Sequence, residues 1–134
     1  MNKNPFVAQL CWTGGGFIFA FFAVGISWWS VPYNESWSGL ETLLFWLGML
    51  SVMIAAAIAR ILGRAGFYLT IPFIGASVPS AILARVIMDT IRNPTSHNLW
   101  PFEVVAGGVY GLFFAGLGAV SGTLFVWLTR RAKL

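Results

Sequence analysis

The sequence predicts an all-α polytopic membrane protein, a single four-transmembrane-helix bundle with both termini cytoplasmic. Three observations carry that prediction. The first is composition. Of the 134 residues, 58% are hydrophobic and only 9% charged, where a soluble domain carries about a quarter charged. Mean hydropathy is +0.81. A soluble fold of this size leaves a large share of its surface in water and has no place to hide so much apolar area. The second is segmentation into four apolar runs, each close to the roughly 20 residues that a membrane crossing requires. The third is the placement of charge. Lys3, Arg60, Arg64, Arg130, Arg131 and Lys133 are six of the eight basic residues, and all fall on one side if there are four spans. The positive-inside rule makes that side the cytoplasm.

The first span is expected over residues 7–29. It begins after one lysine, Lys3, and runs through Gly14, Gly15 and Gly16 to the Trp28-Trp29 pair. Its length favours a retained helix over a cleaved signal peptide, whose apolar core is shorter. Pro32, Asn34 and Gly39 punctuate the connection that follows. The second span is expected over 40–62, and Gly63 and Gly66 bracket a short link to the third, so these two form an antiparallel hairpin. The third span is expected over 67–88, with an extension towards Arg92. It contains Pro72 and Pro79, each of which removes a backbone N–H and kinks a helix. Prolines are common in membrane helices, so shape alone accounts for them. The competing reading is a hinge or an opened backbone beside a cavity. Asn93-Pro94 stops this helix, because the residue before proline avoids the helical region. Pro101 fits the first turn of the next helix, and Glu103 there is favoured by the helix dipole. The fourth span is expected over 104–128.

Two ridges of small residues mark the packing surfaces. Ser51, Ala55, Ala59 and Gly63 recur at steps of four in the second span. Gly107, Gly111, Ala115 and Ala119 do so in the fourth, with Gly118 and Gly122 beside them. Small residues allow the close approach that drives helix association in lipid. They serve packing inside one bundle, or an interface between copies, for which the fourth span is the preferred candidate.

Candidate site residues gather at the extracytoplasmic end. Arg85, Asp89 and Arg92 stand at i, i+4 and i+7 and share one helix face. Glu41 and Glu103 begin the second and fourth spans there, and His97, the only histidine, lies in the loop between. One reading is a set of interfacial charges paired with one another, Arg85 snorkelling to the headgroups. The other places Arg85 inside the bundle as part of a site for an anionic or zwitterionic ligand, with His97 titrating near neutral pH.

Several classes find no support. There is no basic stripe with interleaved aromatics, so nucleic acid is not an expected partner. The single cysteine, Cys11, excludes an internal disulfide or a Cys-based metal site. One histidine cannot supply bis-His haem ligation. No helical His or Glu-x-x-His pairs occur, and two arginines oppose a cation, so no metal or other cofactor is expected. No G-x-S-x-G elbow or P-loop is present. The expected function is therefore a structural or accessory subunit, an interaction partner within a membrane assembly. Its partners would be the bilayer and other membrane subunits or further copies of the chain. The alternatives are a small oligomeric transporter or channel with its polar site at the extracytoplasmic end, and, with less support, a membrane-embedded enzyme using His97, Asp89 or Glu103 as acid or base. Short loops point, by economy, to a bacterial inner membrane.

Overall fold

The computed structural model describes residues 4–30, 39–94 and 99–132. All regular structure among them is α-helical: α1 (Pro5–Ser30), α2 (Gly39–Ile61), α3 (Phe67–Gly75), α4 (Ser77–Arg92) and α5 (Trp100–Arg131). Helices α3 and α4 together make one crossing, so four helices are long and apolar enough to span a membrane. This is the architecture of a multi-pass membrane protein, since helices satisfy every backbone polar group internally.

Around the bundle the order is α1, α2, α5, then the α3–α4 rod, which closes back onto α1. Helices α1 and α5 are diagonal and share no substantial contact. Gln9 Nε2 donates to the Arg64 carbonyl at 3.3 Å, and Arg60 bonds Thr123. The start of α1, the α2–α3 link and the end of α5 therefore lie together. The core holds Val24, Met49, Val52, Ile74, Val78 and Ile82, interleaved with alanines.

The third crossing is expected as one kinked helix; it is two helices meeting at Ala76 (φ −64°, ψ −13°). The prolines explain the break. Pro72 lies inside α3 and withholds an N–H there. Pro79 falls in the first turn of α4, where a missing N–H breaks no helical bond. The Gly75 carbonyl, which residue 79 would otherwise bond, instead faces Gly111 on α5, and a Cβ on Gly111 would overlap it. Helix α5 also starts earlier and ends later than the 104–128 expected. Its 32 residues extend about 48 Å, well beyond a hydrocarbon core of roughly 30 Å. The tryptophan and proline at its start and the arginine pair at its end are suited to the interfaces on either side.

The small residues of both ridges line seams inside the bundle. Gly118 sits against the Met53 carbonyl, and Gly122 would place a Cβ 2.7 Å from the Ala57 oxygen. Gly107 meets Ile82, and Gly63 packs under Trp12. Ser51, Ala55, Ala59 and Ala115 are all buried in the same seams. The fourth-span ridge, the preferred candidate for an interface between copies, is thus occupied by α2, α3 and α4 of its own chain. In contrast, Gly14, Gly15, Gly108 and Gly116 have open space where a Cβ would go.

Candidate functional site

The end of the bundle away from the chain termini holds the candidate charges. Helix α4 places Arg85 and Asp89 one turn apart on the face towards α1. Arg85 Nε donates to Asp89 Oδ2 at 3.1 Å. Its side chain is 11% exposed and that of Asp89 28%. A second guanidinium nitrogen donates to the main-chain carbonyl of Trp28 near the end of α1. That carbonyl is one of the last four of α1, which have no intrahelical donor. Arg85 therefore closes the end of α1 as well as pairing with Asp89. Beside it, Trp29 Nε1 donates to the Ala81 carbonyl at 3.1 Å, a second tie between α1 and α4.

Arg92 is exposed and has no ion pair among the described residues. The structure thus separates a charge triad expected on one face into a locked pair and an outlying guanidinium. Glu41 is half-buried in the first turn of α2. Glu103, in the first turn of α5, borders a cleft of about 490 Å³ together with Trp28, Phe45, Val78, Ile82 and Tyr110. Phe45 stands edge-on to both Trp28 and Tyr110, at 6.3 and 6.2 Å between ring centroids. The cleft is apolar and aromatic, with one carboxyl group at its border. His97, with Ser96 and Asn98, lies outside the described residues.

Four of the buried hydroxyls are satisfied locally, whereas that of Thr70, also buried, has no partner among the described residues. Thr13, Ser27 and Ser51 are buried and each donates to a carbonyl three or four residues back in its own helix, and buried Ser77 at the start of α4 donates to the Ile74 carbonyl of α3, all at 2.6–2.8 Å. Among the described residues, no three His, Cys, Asp or Glu side chains come together. The aromatic cleft escaped the sequence reading because its members come from four helices. The Trp28-Trp29 pair at the end of a span was the one local signal for it.

Compared with protein-family models, curated proteins and solved structures, the chain shows no significant match.

Proposed function

We propose that this protein is a structural or accessory subunit of a membrane assembly, residing in a bacterial inner membrane with both termini in the cytoplasm. The observation that carries this reading is how few polar groups the described interior holds and how locally most of them are bonded. The buried hydroxyls of α1 and α2 are turned back onto their own helices, and that of Ser77 onto the adjoining end of α3. The ion pair among the described residues lies within α4, and its Arg85 also ties α4 to α1 through the Trp28 carbonyl. Among the described residues the buried polar side chains are Thr13, Ser27, Ser51, Thr70 and Ser77, too few to offer a hydrated ion a continuous path along one copy. Its outer faces, by contrast, are broad and apolar, with Phe19, Phe22, Ile26, Trp46, Leu124 and Phe125 exposed. Such faces suit lipid and neighbouring membrane helices alike.

Cross-linking in native membranes, followed by purification in mild detergent, tests the proposal. Co-purification of a defined partner or a fixed oligomer is the expected outcome. A lone monomer under all such conditions counts decisively against it.

One observation favours a second reading, a small oligomeric transporter. The cleft beside Glu103 combines three aromatic rings with a single carboxylate, the chemistry that holds an apolar body bearing a cationic head. Four helices enclose little volume, so a transport path would run between copies. Flux of a lipophilic cation into proteoliposomes that is abolished by Glu103→Gln supports this reading. Flux unchanged in Glu103→Gln, Arg85→Ala and Asp89→Ala excludes it.

A further inference from the structure

The opposite end of the molecule carries a second polar cleft, of about 460 Å³, between the end of α2, the α2–α3 link and the end of α5. Arg60, Arg64 and Arg130 line it, with Thr123, Thr129 and Trp127. The described acids, Glu41, Asp89 and Glu103, begin α2, end α4 and begin α5, all at the far end. Three arginines therefore line one cleft where no carboxylate among the described residues balances them. Like charges brought together at a low-dielectric boundary repel, and an anion between them removes that repulsion.

The cleft is built rather than accidental. Arg60 is held in place: its Nε and one terminal nitrogen donate to Thr123 Oγ1 at 3.0 and 2.8 Å, and the other donates to the Ala65 carbonyl. Its guanidinium also lies over the Phe67 ring, 4.3 Å from the centroid. Thr123 in turn donates to the Ala119 carbonyl at 2.8 Å, which leaves its oxygen to accept from Arg60. The guanidinium is thus pre-organised, which reduces the ordering cost of binding. Arg64 sits in the left-handed region (φ 50°), a conformation disfavoured for any residue with a Cβ. Its carbonyl is fixed by Gln9. Val126 and Trp127 give the same cleft an apolar wall.

We propose that this cleft binds the phosphate group of an anionic phospholipid, the guanidinium groups taking the phosphate oxygens and Trp127 and Val126 the glycerol and upper acyl chain. Arginine suits phosphate because its planar fork donates two parallel hydrogen bonds. Basic pockets between membrane helices are established headgroup sites. The mixed polar and apolar walls distinguish a lipid from free phosphate, which has no use for the tryptophan.

The purified full chain in a neutral detergent is titrated with short-chain phosphatidylglycerol, short-chain phosphatidylcholine and inorganic phosphate. Binding is read by native mass spectrometry and by the shift in melting temperature. Phosphatidylglycerol is expected to bind at least tenfold more tightly than either of the others. Arg130→Gln should weaken it about fivefold, the effect of about one surface cation. Arg64→Gly should weaken it to the same degree while leaving the apo protein at least as stable, since glycine relieves the left-handed backbone. That separates lost binding from lost folding. Arg92→Gln is the control for general surface charge, because Arg92 is exposed at the far end of the molecule and does not line the cleft. Equal losses in Arg92→Gln and Arg130→Gln would overturn the site, as would equal affinity for the two lipids. Inorganic phosphate binding as tightly as phosphatidylglycerol would overturn the assignment to a lipid.

Discussion

Thr70 is fully buried, and its Oγ1 has no hydrogen-bond partner among the described residues. A buried hydroxyl without a partner is destabilising, whereas an isosteric apolar group in its place is not. Thr70→Val is therefore expected to leave stability unchanged or raise it by about 1 kcal/mol, measured by reversible denaturant unfolding in mixed micelles. A loss above that size would mean that the hydroxyl has a partner the fold depends on. The Arg85–Asp89 pair should behave in the opposite way. Removing one partner strands a charge at the mouth of the bundle, and removing both does not. Asp89→Leu and Arg85→Met are each expected to destabilise, and the double variant to recover about 1 kcal/mol relative to their sum, the coupling usual for contacting groups. Simple additivity would show the pair to be energetically idle. The i, i+4 spacing made this pair visible in the sequence. The Trp28 carbonyl as Arg85's other acceptor was not visible, because it lies 57 residues away and depends on how α1 registers against α4. The fate of Arg92, outside the pair, depends on that same rotation of α4.

At the scale of elements, the four crossings were legible because each is a long apolar run bounded by glycine, proline or charge, and periodicity hardly entered. What the runs did not reveal was the division of the third into α3 and α4. Two prolines seven residues apart leave the fold a choice between a bend and a break, and the deciding contact is tertiary: the freed Gly75 carbonyl is met by Gly111. Spacing alone likewise did not say whether the glycine-rich face of α5 looks inward. The direct test compares glycines within that one helix. Gly111→Ala and Gly118→Ala each drive a Cβ into a backbone carbonyl of a neighbouring helix, where nothing flexible can yield. Each is expected to destabilise by about 1–3 kcal/mol, the usual range for overpacking. Gly108→Ala and Gly116→Ala meet open space and should be neutral, or stabilise by up to about 1 kcal/mol through helix propensity. If the second pair also proves damaging while the bundle remains intact in detergent, those positions face a partner in the membrane, and the accessory-subunit reading gains a surface.

For the whole molecule, the governing asymmetry is charge. Arg60, Arg64, Arg130 and Arg131 stand at the end that carries the start of α1, the α2–α3 link and the end of α5, with no described acid beside them. Arg85 and Arg92 stand at the other end with Glu41, Asp89 and Glu103, and Arg85 is engaged with Asp89. Basic residues close to the span ends resist translocation, whereas acids contribute little, so the four-arginine end should remain in the cytoplasm. A reporter that matures only in the cytoplasm should be active when fused after residue 132, and an enzyme active only outside should be active when inserted after residue 94. The reverse pattern would invert the topology. The same asymmetry predicts how the orientation fails. Arg60 is tied into the fold by Thr123 and Ala65, whereas Arg64, Arg130 and Arg131 are the adjustable share of the bias. Converting those three to glutamine should produce a mixed population, with a measurable fraction of chains reporting the C-terminus outside. Single conversions should not, because the remaining arginines still outweigh the far end. If the triple variant keeps one orientation, the decision is made elsewhere, either by Lys3 and Lys133 or by the hydropathy of the first span. Orientation would then be independent of the cleft that these arginines line.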